Sequence, residues 1–103
     1  MMEWVEVDSS QIKAVGHDAE TNTLGVRFHP GKRDREAGLP YSEYHYRGVN
    51  ADMFQAMRTA ESVGTWHGEN IKRFPEQYPF TKIVLVQLTG SLTAAVEERD
   101  AES

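Results

Sequence analysis

The sequence predicts a small α+β domain: an antiparallel β-meander of three strands, packed on one main helix, with a fourth or fifth strand from the chain termini. Three segments with alternating apolar and polar residues follow one another, around "QIKAV", "LGVRF" and "SEYHYR". The next segment, "NADMFQAMRTAES", places its apolar residues at helical spacing. A length of 103 residues suits one domain.

Each of the first two strands is predicted to have one apolar side. Pro30 and Gly31 end the second strand, and its closeness to the first strand along the chain predicts a hairpin. Their shared apolar side comprises Ile12, Ala14, Leu24, Val26 and Phe28. The Met53, Phe54 and Met57 stripe of the helix is the expected cover for this side.

The third strand carries Tyr44 and Tyr46, which point the same way because strand residues alternate. As its large residues, they are predicted to face the core, so that the opposite side is polar. Across the three strands we assign six residues to this polar side, and none of them is acidic. They are Lys13, His17, Arg27, His29, His45 and Arg47. The sequence therefore predicts a basic sheet face, although a merely solvated polar face is the simpler alternative.

The helix is predicted to begin after Asn50, a suitable N-cap, and to end at Gly64 in a positive-φ conformation. A short helical turn is expected before Pro75, with Trp66 and Ile71 packed inward.

The C-terminal part is predicted to add a strand over residues 83–88. The segment around Trp4, Val5 and Val7 is its candidate partner strand. The expected domain spans residues 1–90, and residues 91–103 are expected to form a short helix or an acidic flexible tail.

The composition excludes several classes of site and protein. The chain has no cysteine, so it holds no disulfide and no thiolate metal site. With 11 basic and 16 acidic residues, its net charge of −5 argues against a globally basic nucleic-acid binder but allows a local patch. We find no apolar run long enough for a membrane span and no signal-peptide pattern at the N-terminus, so a cytoplasmic protein is expected.

Several motifs occur in the order that is typical of one family. They are Ser9 and Ser10, the Tyr-x-Tyr of Tyr44 and Tyr46, the Ser-x-Gly of Ser62 and Gly64 before Trp66, and Tyr78, Pro79 and Phe80. In these motifs residues 7–83 resemble the KTSC domain, found at the C-terminus of some lysyl-tRNA synthetases and as stand-alone bacterial and phage proteins. The resemblance implies a compact α+β module, and the link to a synthetase implies RNA as a partner. The 29–43 loop is longer than is usual in the family, and the chain after residue 83 extends beyond the family core.

We expect a non-catalytic binding module without a cofactor, because no catalytic or phosphate-loop motif is present. The leading hypothesis is binding of RNA or another single-stranded nucleic acid through the basic sheet face. The candidate contacts are Lys13, Arg27, Lys32, Arg33, Arg35, His45, Arg47, Lys72 and Arg73.

Two alternatives to nucleic-acid binding remain. The first is an adaptor for a host or phage protein, which would use the 29–43 loop or the 83–88 strand edge and would be a monomer or weak homodimer. The second is a metal site built from His17, His29, His45 and His67; since ligands must lie close together, we expect no metal.

Overall fold

The structure, a computed structural model, describes residues 2–88 and 91–99, with side chains over residues 2–84. Six strands form one antiparallel sheet in which each strand pairs with its neighbour along the chain. They are β1 (Glu3–Glu6), β2 (Ile12–Asp18), β3 (Thr23–Phe28), β4 (Ser42–Arg47), β5 (Phe80–Leu88) and β6 (Ser91–Arg99). The α+β class and the central meander are confirmed.

The expectation of one main helix is wrong, because several short helices share that role. These are α1 (Lys32–Glu36), α2 (Ala51–Arg58), α3 (Val63–His67) and a π-helical segment (Gly68–Lys72). Asn50 caps α2 as predicted, its side chain accepting a hydrogen bond from the Met53 amide at 2.9 Å. A short helical segment before Pro75 is also confirmed.

The core lies between the sheet and the helices on one face of the sheet, called here the helix face. Tyr46 is buried, and Tyr44 packs against the same cluster, so both tyrosines face inward as predicted. The stripe on α2 contributes as predicted, since Met57 is fully buried and Met53 and Phe54 pack beside it. Ile71 is also fully buried, and Trp66 is packed against the cluster.

A β-bulge in β2 changes which residues share the helix face. Ile12 pairs with Phe28, but Ala14 pairs with Arg27, so Lys13 is an extra residue on its strand. A bulge reverses the alternation that follows it. Val15 and His17 therefore lie on the helix face with their partners on β3, and the predicted sides of Ala14 and His17 are wrong.

The terminal strands pair differently from the prediction. Residues 83–88 do lie in a strand, but β1 pairs with β2, whereas β5 pairs with β4 and β6. Ser91–Arg99 forms strand β6 where a short helix or flexible tail was expected. The pairing of β4 with β5 ends at Ile83, and residues 84–88 of β5 pair with β6.

Gly64 does not end a helix. It lies inside α3, whereas α2 already ends at Arg58, and positive φ is found instead at Gly38 and Gly48 among the described glycines. A Cβ atom at Gly64 would lie 2.9 Å from the Gln11 side-chain oxygen, so this glycine permits close packing of α3 on the start of β2. Among the described residues, no helix has the length and apolar character needed to cross a membrane.

Candidate functional site

The face of the sheet opposite the helices, called here the open face, carries most of the predicted basic surface. Strand register places one row of residues across it: Trp4, Gly16, Gly25, His45 and Thr81. A second row places Ala14 beside Arg27 and Glu43. None of these residues belongs to the hydrophobic cluster on the helix face.

Arg27 lies at the centre of a group of aromatic rings and charges. Its guanidinium carbon is 3.8 Å from the ring centre of Trp4 and 4.6 Å from that of Tyr41, and the Lys13 ammonium is 5.8 Å from the Tyr41 ring. Contacts of this kind are attractive, because a cation meets the negative face of an aromatic ring. Two of the predicted cations, Lys13 and Arg27, are thus brought together on Tyr41.

Glu43 is an acidic residue on this face that is not among the six predicted positions. It is 7% exposed, and its two carboxylate oxygens accept from Arg27 Nε at 2.9 Å and from His45 Nε2 at 2.8 Å. Burial raises its pKa, but the hydrogen bonds from His45 and Arg27, with their charges, outweigh that effect, and the pKa lies below its ordinary value. The alternation of "SEYHYR" already contained the signal, because Glu43 shares a side with His45 and Arg47.

His45 and Arg47 line a depression in the open face with a volume of about 510 Å³, called here the open-face depression. Its other lining residues are Met2, Asp18, Thr21, Thr23 and Thr81. Arg47 is exposed and donates from Nη2 to the Thr81 hydroxyl at 3.2 Å. The guanidinium, imidazole and hydroxyl groups are donors that suit phosphate oxygens, while Asp18 adds a negative charge to the wall.

The remaining predicted contacts lie at two other places. Lys32, Arg33 and Arg35 are exposed on α1, within the β3–β4 connection, where Arg35 Nη1 donates to the Pro30 carbonyl at 2.8 Å. Lys72 and Arg73 are exposed at the end of the π-helical segment, on the helix side of the molecule. The nine predicted residues therefore do not form one surface.

The four histidines are separated, and two predicted positions on the basic face are wrong. His17 lies on the helix face, where Nε2 is 2.7 Å from the Val49 carbonyl and the ring stacks on Phe54. His29 follows the end of β3, with Nε2 2.9 Å from the Ser9 carbonyl. Among the described residues, no three potential ligands are grouped so that they could hold a metal ion.

The residues assigned to structural motifs shape the turns around the core. The Ser9 hydroxyl accepts from the amides of Gln11 and Ile12, both at 3.2 Å, whereas Ser10 is exposed. Ser62 caps α3 by accepting from the Thr65 amide at 3.3 Å.

An open cleft on the helix face is a second candidate site, called here the aromatic cleft. Its volume is about 310 Å³, and it is lined by Phe28, Ser42, Tyr44, Tyr46, Lys72 and Phe80. The ring centres of neighbouring aromatic residues lie 5.6 Å apart, from Phe28 to Tyr44 and from Tyr44 to Phe80. Helices cover the sheet only in part, so the tyrosines can face inward and still border solvent.

His67 lies beneath two of the rings that line the aromatic cleft. It is 2% exposed, its ring centre is 4.8 Å from that of Tyr46 and 5.8 Å from that of Phe28, and its Nε2 has no hydrogen-bond partner in the described part of the chain. Burial, together with the nearby charge of Lys72, lowers the pKa of His67 to about 4. At neutral pH its ring is therefore uncharged.

A sheet with short helices on one face, and motif residues gathered around that face, defines a small α+β module. Residues 8–78 match the model of the KTSC domain, so the chain belongs to the KTSC domain family, as the sequence motifs indicated. The crystal structure of a KTSC domain protein from Yersinia pestis is similar, with a TM-score of 0.64 and 25% sequence identity. The similarity covers 82% of this chain and 100% of that one. No curated protein matches the chain.

Proposed function

We propose that the chain is a non-catalytic module that binds single-stranded nucleic acid through phosphate contacts on its open face. RNA is the leading candidate ligand. The observation that supports this most directly is the open-face depression, because it gathers Arg47 and His45 with three threonines. Cationic and hydroxyl donors are the groups that bind phosphate oxygens in most nucleic-acid complexes. Such contacts position the strand without reading its sequence.

The proposed surface is narrower than the predicted basic face. Since Glu43 bonds both Arg27 and His45, the charge around these two residues is partly balanced. Within the described part of the chain, the hydrogen bond given for the Arg47 side chain goes to a hydroxyl group and not to an acidic residue. Because its side chain is also exposed, Arg47 is the leading phosphate contact.

A nucleic-acid strand that is bound at Arg47 and runs along β4 can reach a second group of cations. Arg27 lies across from Glu43, four residues before Arg47, which corresponds to about 13 Å along a strand. Lys13 lies beyond Arg27 at the same Tyr41 ring, and the exposed cations of α1 belong to the adjoining connection. We place this module in the cytoplasm of a bacterium or phage-infected cell, as a monomer or weak homodimer.

The proposal is tested by fluorescence anisotropy of labelled single-stranded RNA, single-stranded DNA and tRNA at about 50 mM and about 200 mM salt, the range over which phosphate contacts lose affinity. The variant is Arg47→Glu, and the matched control is Arg73→Glu, an equal charge change on the helix side. Charge reversal at Arg47 should weaken binding about tenfold or more and reduce the salt slope, while the control should have a smaller effect. No binding at low salt, or equal effects of the two variants, would refute the proposed site.

A protein-interaction module is the second candidate, supported by the far end of β5. Residues 84–88 continue beyond the last partner on β4 and pair with β6, so this half of the β5–β6 hairpin extends past the central sheet. Two-stranded extensions gain stability when a further strand or surface covers them. A second copy of the chain is the simplest such partner, and α1, which has no buried residue within the 29–43 connection, offers an alternative contact. Light scattering that shows a dimer, together with no affinity for nucleic acid, would favour this function.

A further inference from the structure

We propose that the aromatic cleft binds a small planar aromatic anion, that is, one flat ring system carrying a single phosphate or carboxylate group. This inference is independent of nucleic-acid binding on the open face, because the two sites lie on opposite sides of the sheet. It rests on the types of residue that line the cleft and on their arrangement.

The walls of the cleft suit a flat ring. Four of its six lining residues are aromatic: Phe28, Tyr44, Tyr46 and Phe80. Their rings meet edge-on or tilted, with interplanar angles of 83° for Phe28 and Tyr44, 56° for Tyr44 and Phe80, and 41° for Tyr46 and Phe80. A ligand ring can therefore lie against the face of one residue and the edge of another, which are the preferred geometries of aromatic pairs.

The polar lining residues determine the charge of the ligand. Lys72 and Ser42 line the same cleft, so an ammonium and a hydroxyl group adjoin the rings. Lys72 is exposed and makes no described ion pair, which leaves its charge available to an anion. A phosphate or carboxylate placed there gains a charge-assisted hydrogen bond from Lys72.

The size of the cleft limits the ligand to one ring system. A volume of about 310 Å³ is at the lower end of the range of small-molecule sites, about 300–1,000 Å³. Single nucleobases with one phosphate and indole carboxylates belong to this size class, whereas a run of stacked bases does not.

His67 supplies a second feature of a binding site. Its ring contacts Tyr46 and Phe28, which line the cleft, and its Nε2 has no hydrogen-bond partner among the described residues. Buried polar atoms normally have a partner, and exceptions often mark functional positions. A ligand that settles between these rings changes the surroundings of His67, so the imidazole can report its arrival.

The experiment is an amide and histidine-ring NMR titration of the full chain with adenosine 5′-monophosphate and, separately, with indole-3-acetate. Adenosine and ribose 5-phosphate are the matched controls, because each lacks one of the two required groups. We expect amide shifts at Phe28, Tyr44, Lys72 and Phe80, accompanied by a shift of the His67 ring, and a dissociation constant of about 1 mM or tighter. A response to one of the two anions alone identifies whether phosphate or carboxylate is preferred.

Two charge variants separate the cleft from the open face. Lys72→Glu should weaken the response of the cleft about tenfold, while Arg47→Glu should leave it unchanged. The inference is overturned if neither anion shifts the cleft residues, or if ribose 5-phosphate shifts them as strongly as the nucleotide does. It is also overturned if the Lys72 variant, folded by circular dichroism, binds as well as the original chain.

Discussion

Arg27 and Glu43 form an ion pair across β3 and β4, in which Arg27 Nε lies 2.9 Å from Glu43 Oε1. Trp4 and Tyr41 flank the guanidinium, and the carboxylate is buried under it. Losing one partner of such a pair leaves a buried charge without compensation, which costs more than the intact pair contributes. The central part of the open face is thus a structural network, and Arg47, the leading phosphate contact that we propose, lies beside it.

The first prediction concerns Glu43→Gln, which removes the carboxylate charge but keeps the shape of the side chain. We expect the free energy of unfolding at pH 7 to fall by about 1–3 kcal/mol, because two charge-assisted hydrogen bonds are weakened. Urea denaturation measures the change. The exposed Glu76→Gln is the matched control and should stay within about 0.5 kcal/mol of the original chain.

The same pair predicts a pH dependence. The pKa of Glu43 in the folded chain lies below its ordinary value, so its contribution to stability is present above the unfolded pKa of about 4.3 and is lost as pH falls through the folded pKa. The difference in unfolding free energy between the original chain and Glu43→Gln should therefore shrink from pH 7 to about pH 3. A difference that stays constant over that range would contradict the assigned role of the charge.

The lowered pKa of His67 predicts a loss of stability at higher pH than that expected for Glu43. The unfolded chain protonates this histidine below about pH 6.5, whereas the folded chain does so only near its pKa of about 4. Unfolding thus takes up a proton between these values, and stability falls with decreasing pH by at most about 1.4 kcal/mol per pH unit. Urea denaturation of His67→Leu across this interval should show a shallower pH dependence; an identical dependence would be the contrary result.

The sequence predicted the strands well because alternation is a local property. The directions of Tyr44 and Tyr46 followed from the residues of their own strand, and the Asn50 cap from three residues of local sequence. The bulge at Lys13 could not be found in this way, since both registers of "QIKAVGHD" place apolar residues on the core. That one extra residue moved His17 from the predicted basic face to the helix face.

The aromatic cleft and the open-face depression depend on contacts between distant segments. Phe28, Tyr44 and Phe80 belong to three strands, and Lys72 reaches them from the π-helical segment, so no short motif contains the cleft. The position of Glu43 could have been predicted from the sequence, because alternation in "SEYHYR" places it on the same side of the strand as His45 and Arg47. The strand glycines Gly16 and Gly25 were also informative, since glycine inside a strand often marks the close approach of another part of the chain.

Helix α2 offers a prediction about local stability. Asn50→Ala removes the side-chain oxygen that accepts from the Met53 amide, so the free energy of unfolding should fall by about 1 kcal/mol. Asn50→Ser keeps an acceptor at this position and should recover most of the loss. Thermal unfolding measures both variants, and equal losses in the two would show that the cap does not stabilise the helix.

The last prediction concerns Trp4, which lies over the glycines of the open face. A Cβ atom at Gly25 would lie 2.6 Å from Trp4 Cη2 and would overlap Met2 Sδ. Gly25→Ala should therefore destabilise the chain by about 1–3 kcal/mol, as overpacking does in a filled core. The control is Gly68→Ala, where a Cβ atom meets nothing within 4 Å, and it should be neutral or slightly stabilising.

A double-mutant cycle with Trp4→Leu shows whether the indole causes this cost. If the ring of Trp4 occupies the space above Gly25, shortening it makes room for the added methyl group, and Gly25→Ala should cost less in the Trp4→Leu background. The expected coupling between the two substitutions is about 0.5–3 kcal/mol, measured by urea denaturation of all four chains. Additive effects would mean that the indole does not cause this cost and that Met2, whose Sδ the added Cβ atom would also overlap, does.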